Sequence, residues 1–416
     1  MTAAIAASRT AHELGVEMNV LLLERNRSLG RKLAITGKGR GNITNTLPVE
    51  EFIEAFGPDG RFLRPAFASF FGEELVELLG EAGLEVKAER GGRVFPVTDR
   101  ATDIVQALGL LVMKADVDIQ YDHRITKIAR SGAQFRISVQ GRGSYTADAV
   151  VVATGGKSYP GTGSSGDGYG LLRELGHTIV QPLPGLVPLR CTDVGATAVA
   201  GVSLEGIELT AWSGKRELDR RSGELVFTEH GIGGPAALSL SLAVAKALGS
   251  GEHVSVTLDT RPLQSCEKVA EDVRAARNSG GVRTYFQRFL PRSFADVLLQ
   301  LSGLAGEEPH RMLSSRDVET IVGHVKRLEF ACTGTEPLST AIITQGGIPL
   351  KEVDPRTMGS RIVPGLFVAG ELLDLQAVTG GFNLQEAFST GYLGGKCAVQ
   401  FVAKSANTDT IRRLER

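Results

Sequence analysis

Short apolar runs that stop at a glycine or an acid recur along this chain, and they limit the folds open to it. Residues 19–23 form a β-compatible run ending on Glu24, "DAVVVATGG" ends in two glycines, and "PGLFVAGELLD" runs into Gly370 and Glu371. Short runs of this kind, apolar without a polar alternation, are strands of a parallel sheet buried on both faces. Glycine at their ends lets backbone come close to a ligand. The sequence holds 51 glycines in 416 residues, well above the usual share of about 7%, and they cluster in such turns. The implied class is α/β with a cofactor-binding sheet.

The first unit is "MTAAIAASRTAHELGVEMNVLLLERN". Ala3, Ala4, Ala6 and Ala7 give a helix with small residues suited to close packing on a sheet, and Gly15 is a C-terminal stop. In a dinucleotide-binding βαβ unit, the acid ending the second strand accepts hydrogen bonds from the adenosine ribose, about 20 residues after a GxGxxG turn. Helix, strand and acid follow one another here, while the leading strand and its glycine turn are not in the sequence. The expectation is a natural protein that starts upstream of Met1, with that strand and turn encoded there.

Bulk composition narrows the class further. With 42% hydrophobic and 22% charged residues and a formal net charge of -1, the chain is neither disordered nor a polyanion binder, so no nucleic-acid partner is expected. No run approaches the roughly 18 apolar residues of a membrane span, and no signal-peptide pattern opens the chain, so a cytoplasmic location without membrane association is expected. Cys191, Cys266, Cys332 and Cys397 are far apart and form no CxxC pair, which favours reduced thiols. The seven histidines show no HExxH or HxH spacing, and no metal site is expected. His230, in "FTEHGIGGP", sits in a glycine-rich turn, where a lone histidine is more often structural than catalytic.

Along the chain, a basic, glycine-rich loop "RNRSLGRKLAITGKGRGNITN" follows Glu24. Helical patterns lie near 49–56, 73–84 and 102–113, the last behind the capping candidates Thr98 and Asp99. Runs at 124–130, 134–139 and 144–147 read as a meander. From about Leu189 the texture changes to polar hairpins, then to amphipathic helices near 267–277, 293–301 and 316–326. Apolar, glycine-punctuated strands return near Ser339. The domains expected are 1–188 and 339–416 for the cofactor and 189–338 as a β-rich insertion, helical over about 265–327.

"GTGSSG" matches GxGxxG letter for letter through Gly161, Gly163 and Gly166. Pro160 and other residues separate it from the preceding strand, however, and no acid lies about 20 residues beyond. It reads as a surface or substrate-facing loop. The basic loop contains no aromatic residue before Phe52, so it offers RNA bases no stacking platform. Its cations and glycine amides suit a pyrophosphate better. In "VAGELLDLQAVTGGFNLQEAFSTGYLGG", Gly370 follows a strand, Glu371 and Asp374 offer acceptors, and Gly380 and Gly381 lead into a helix near Asn383. A helix start of this kind can face the pyrimidine edge of a flavin, where charge gathers on reduction.

Several blocks in order, "LLLERNRSLGRKLAITGKGRGNITN", "GGRVFPVTDRA", "VVATGGKSYPGTGSSGDGYG", "GELVFTEHGIGGP", "ITQGGIPLKEVDPRTMGSRIVPGLFVAGELLD" and "TGGFNLQEAFSTGYLGG", resemble the bacterial BaiN-like NAD(P)/FAD-dependent oxidoreductases, also labelled aminoacetone oxidase family FAD-binding enzymes. The resemblance covers roughly residues 1 to 400. It implies a glutathione-reductase-type FAD-binding domain of Rossmann-like α/β fold, here lacking its first strand. An inserted β-barrel-like part and a small helical part would interrupt it. By position it implies that Glu24 holds the adenosine ribose, and that Arg31, Lys32 and the turn with Gly37, Gly39, Arg40 and Asn42 lie along the cofactor. Ile125 would offer backbone to adenine. Ala153, Thr154, Gly155, Gly370, Glu371, Asp374, Phe382 and Asn383 would line the dinucleotide and flavin. Where the family carries a cysteine in its "GGGRCN" turn, this chain has Gly41.

The expected activity is that of an FAD-dependent oxidoreductase moving hydride between the flavin and a small or medium organic substrate. NAD(P)H would be a transient reductant, since no second dinucleotide turn is present. No residue is singled out as catalytic. A non-catalytic flavin-binding or interaction protein, and a truncated inactive form, stay open as other readings.

Overall fold

The computed structural model describes residues 1–192, 199–276, 280–304 and 313–414. The chain forms two compact units, Met1–Pro182 with Ile343–Arg416, and Leu183–Ile342.

In the first unit the apolar runs form parallel pairs. Leu21–Leu23 pairs with Asp118–Gln120, Leu21 facing Asp118 and Leu23 facing Gln120. Val150–Val152 pairs in parallel with Leu366–Val368, a sheet that extends antiparallel through Gly359–Ser360 and Val353–Asp354. The meander is a three-stranded sheet, Ile125–Ser131, Gln134–Val139 and Ser144–Ala147. A second small sheet joins Thr44–Asn45 to Arg93–Pro96 and Val86–Ala88.

The opening helix Thr2–Leu14 ends at Gly15 in the left-handed region, as its sequence predicts. Its small residues do a different job from the one expected. Thr2 and Ala3 lie against Gly391 and Gly395 of the closing helix Phe382–Leu414, and a Cβ on Gly395 would stand 2.0 Å from the Ala3 carbonyl oxygen. Two helix backbones touch where packing on a sheet was anticipated. Ile5, Ile43, Leu75, Leu79, Ile104 and Leu108 fill one core, and Phe52, Leu63, Phe135, Val368 and Leu372 another. The helix expected at 102–113 spans Ala101–Lys114. Thr98 and Asp99 do not cap it: the Thr98 hydroxyl donates to Asp103 at 2.7 Å, and Asp99 pairs with Arg40 and Lys87.

The second unit is built on a closed six-stranded barrel of Leu189–Cys191, Gly231–Gly233, Arg216–Thr228, Ser203–Ser213, Val254–Asp259 and Leu328–Thr335, in that order around the barrel. Helices Cys266–Ala276, Arg292–Leu301 and Ser315–Lys326 match the amphipathic patterns; Arg277, expected at the end of the first, lies outside the described residues. Phe294 meets the barrel's Phe227 with ring centroids 5.0 Å apart, so helices and barrel share one core with Phe330, Val269 and Ile321. Helix Gly234–Gly249 packs on the same core through Ala237, Leu240 and Val244 and was not foreseen. The strands that lead out of and back into the first unit, Val180–Gly185 and Ile343–Gly347, are hydrogen-bonded neighbours. Among the described residues, no helix is long and apolar enough to cross a membrane.

Candidate cofactor site

All sixteen residues expected along the cofactor belong to the first unit, where they fall into separate groups. Glu24 follows Leu21–Leu23 and is half-buried. Its Oε1 accepts from the Asn26 backbone at 2.8 Å and the Asn26 side chain at 2.7 Å, and among the described residues no hydrogen bond engages Oε2. Asn26 also donates to the Thr162 carbonyl at 3.1 Å and accepts from Arg31 at 3.2 Å. Arg25 donates to the Gly163 carbonyl and bonds Ser165 and Asp167. The "GTGSSG" segment is thus a loop wrapped onto the residues around Glu24. Gly166 precedes helix Asp167–Glu174.

A second group forms around Glu371. Lys32 Nζ lies 2.5 Å from Oε2, which also accepts from the Gly156 N–H at 3.2 Å. Oε1 accepts from the Thr344 N–H at 2.7 Å and the Ser158 hydroxyl at 3.2 Å. Lys32 donates to Ser158 as well, at 2.7 Å. A carboxylate has about four acceptor positions, so Glu371 is fully engaged by the protein itself. It binds together the end of Val150–Val152, the start of Ile343–Gly347 and the loop after Glu24. The buried Thr344 extends this group, its hydroxyl accepting from the Lys157 and Ser158 N–H groups. Ser158 and Thr344 carry no local motif and were missed from the sequence. Ala153 and Thr154 are exposed beside this group, and Gly155 and Gly370 hold φ of 74° and 68°.

A third group sets the start of the closing helix. Oriented to satisfy its neighbours, the Asn42 amide donates to the Thr44 and Val94 carbonyls and accepts from the Gly381 N–H at 3.0 Å. Asn45 holds the Gly380 carbonyl at 3.1 Å. Asn383 Oδ1 accepts from the Ala377 N–H at 2.9 Å while its Nδ2 donates to the Ala377 carbonyl at 3.1 Å, so one side chain pairs with an otherwise open loop as a strand would. Phe382 is buried against Phe52, centroids 4.7 Å apart. Asp374 accepts from Gln376 at 3.2 Å. One turn into the helix Glu386 is 3% exposed. Burial pushes its carboxyl up to about 8, against a hydrogen bond from Thr390, and the Glu371 charge adds to the rise.

Two expected residues also have protein partners of their own. Arg40 pairs with Glu89 and Asp99, each at 2.5 Å, and lies over the Phe95 ring; hydrogen bonds from Arg40 hold the Glu89 carboxyl below its ordinary range. Ile125 begins the meander opposite Val139. Gly37 and Gly39 are exposed, with φ of 58° and 83°. Gly41 has φ 76°, and a Cβ there would stand 2.3 Å from Ile104 Cδ1. His230 is exposed in the 228–231 turn of the second unit.

One arrangement in the first unit mimics a hydrolase. His177 lies 2.9 Å from Glu352 and 2.8 Å from Ser360. The Ser360 hydroxyl oxygen already accepts from the Ile362 and Val363 N–H groups, and His177 is buried. The trio braces a turn. Among the described residues no group of His, Cys, Asp and Glu could hold a metal.

The donor set fits FAD. It offers a strand-end acid with a carboxylate oxygen that no hydrogen bond among the described residues engages, exposed backbone beyond a parallel strand, and a helix start. The first N–H groups of a helix lack intrahelical acceptors and carry partial positive charge.

The "HI0933-like protein Rossmann domain" family matches residues 1–397. The 3-dehydro-bile acid delta(4,6)-reductase of Clostridium scindens is 32% identical over 410 residues, 96% of each chain. The ribosomal RNA dihydrouridine synthase of Haemophilus influenzae is 28% identical over 379 residues, 90% of this chain and 91% of that one. Among solved structures, the 3-ketosteroid delta1-dehydrogenase of Sterolibacterium denitrificans aligns with a TM-score of 0.51 at 12% identity, covering 96% of this chain and 98% of the other, a likeness of fold. Matched over nearly its whole length, the chain belongs to the HI0933-like Rossmann family and is an FAD-dependent oxidoreductase.

Proposed function

We propose that this protein is a cytoplasmic reductase that adds hydrogen across a carbon–carbon double bond conjugated with a carbonyl, in a small or medium organic substrate. The observation that carries this reading is what the relatives' names share: a delta(4,6)-reductase of a 3-dehydro compound and a dihydrouridine synthase both saturate a double bond next to a carbonyl. FAD, when bound, supplies two-electron hydride chemistry, with NAD(P)H as a transient reductant.

The chain's own residues bind and orient. Glu24 accepts a ribose hydroxyl through Oε2 while Asn26 fixes its orientation. Lys32 and Glu371 hold the loop after Glu24 against the strand ends, so that Ala153, Thr154, Gly155 and Gly370 present backbone to the dinucleotide. Asn42 and Asn383 fix the approach to the closing helix, whose first amides favour negative charge on a bound group. The second unit sets substrate choice.

A uridine base within RNA is the second reading, favoured by the dihydrouridine synthase relative at 28% identity. Against it, Asp and Glu outnumber Lys and Arg over Leu183–Ile342, which gives that unit no net attraction for phosphate backbone. The deciding experiment adds NADPH to the flavin-loaded protein without oxygen, then a 3-oxo-Δ4 steroid or a uridine-containing ribosomal RNA fragment. Bleaching by NADPH and reoxidation by the steroid alone support the proposal. Reoxidation by the RNA alone establishes the second reading, and a flavin spectrum that no reductant changes defeats both.

A further inference from the structure

Away from the cofactor site, the barrel brings two cysteines face to face. Cys191 ends Leu189–Cys191 and stands opposite Cys332 of Leu328–Thr335 in an antiparallel pair, just past a register shift. Exposure alternates along both strands, with Arg190, Ala331 and Thr333 outward and Leu189, Cys191, Phe330 and Cys332 in the core. Directly opposed residues of antiparallel strands have Cα atoms about 4.5–5.5 Å apart, inside the span of about 4.4–6.8 Å that a disulfide bridges. The two thiols perturb each other's ionisation, Cys191 upward and Cys332 downward. At 8% and 6% exposure both are nearly buried, which favours a small oxidant over a large one.

We propose that Cys191 and Cys332 are an oxidation site that takes hydrogen peroxide or a small organic hydroperoxide and closes as a disulfide across the barrel. The Cys332 sulfur attacks the peroxide, the O–O bond breaks, and with hydrogen peroxide one water leaves as Cys332 becomes a sulfenic acid. The Cys191 sulfur then attacks Cys332, its proton joins the departing hydroxyl, and a second water leaves. Two thiols lose two electrons and two protons, and one peroxide becomes two waters. The neighbouring Cys191 thiol holds the Cys332 thiol below its ordinary range, which favours Cys332 as the attacking sulfur. With one proton gone, the second is held far more tightly, so Cys191 remains a thiol until the sulfenic acid has formed.

The bridge would fix a strand that is otherwise lightly held. Leu189–Cys191 has three residues and pairs on both sides. Its Cys191 N–H donates to the His230 carbonyl at 3.0 Å, and its Arg190 pairs with Glu336 at 2.9 Å. Cross-linking it to Leu328–Thr335 encloses most of the second unit in one loop and removes much of that loop's freedom when unfolded. The unfolding temperature of the oxidised protein should rise by on the order of 10 °C.

The test treats the flavin-loaded protein with hydrogen peroxide, alkylates it with N-ethylmaleimide in denaturant and maps the peptides. The expected result is a Cys191–Cys332 linked peptide with Cys266 and Cys397 alkylated, reversed by dithiothreitol. The rise in unfolding temperature should vanish in Cys191→Ser and in Cys332→Ser. If either variant does not fold, the wild-type peptide map decides by itself. Alkylation of all four cysteines after oxidation, sulfinic acid at Cys332 beside an alkylated Cys191, or a bridge through Cys266 or Cys397 would overturn the proposal.

Discussion

The Lys32 ammonium lies 2.5 Å from the Glu371 carboxylate, joining positions 339 residues apart in sequence. Both side chains are about one-fifth exposed, at 23% and 20%, so solvent screens the pair only in part. Replacing Lys32 with Met removes a charged donor and leaves Glu371 with its three neutral ones. We expect a loss of about 1–3 kcal/mol, the scale of a hydrogen bond to a charged group, read from urea unfolding of the flavin-free protein. An unchanged midpoint would show that the pair is ornamental.

Glu386 makes stability depend on pH. Its folded value is raised from the carboxylate range to about 8. Below that range both folded and unfolded states hold the proton. As pH rises the unfolded carboxyl ionises first, so stability falls by up to about 1.4 kcal/mol per pH unit until the folded group also ionises, near pH 8. Glu386→Gln should flatten the dependence and be more stable than wild type at the alkaline end. Parallel curves for the two proteins would sink the assignment.

Gly41→Cys, which introduces the cysteine implied by the resemblance, should destabilise this protein by about 1–3 kcal/mol, because the position is left-handed and its Cβ meets Ile104. Pairing it with Ile104→Val should recover part of the loss. Full stability of the single variant would mean that the turn relaxes freely.

Glu24→Ala should weaken FAD binding by about 1–3 kcal/mol, measured by fluorescence titration with released flavin. The flavin should come away on mild heating or acid. Flavin that stays with the denatured chain, or an affinity that Glu24→Ala leaves unchanged, would contradict the assignment.

Legibility in the sequence followed the range of the interactions. Strands Gln134–Val139 and Ser144–Ala147 stand where short β-compatible runs between glycine-containing turns put them, because such runs and turns are local. Helix Gly234–Gly249 was missed because "GPAALSLSLAVAKALG" is small and apolar on most faces and opens with Gly-Pro, which reads as a turn. Sequence reasoning could single out candidate residues such as Glu24 and Asn383 one at a time. The candidate site was not legible as an assembly, since Lys32, Gly156, Ser158, Thr344 and Glu371 meet only through tertiary structure. The pairing of Arg40 with Glu89 and Asp99 was hidden for the same reason: its partners are far from it in sequence.

The adjacent strands Val180–Gly185 and Ile343–Gly347 impose an order on biosynthesis. During translation Val180–Gly185 emerges from the ribosome without its neighbour, and the whole barrel unit follows before Ile343–Gly347 is made. The barrel can close while the ribosome is still at work, because every strand it needs lies within one stretch of chain. Lys32 must wait for Glu371, and the turn held by Asn42 for Gly381, until the stretch that follows the barrel has been made. A nascent chain can therefore close its barrel before the groups around Glu371 and Gly381 have their partners.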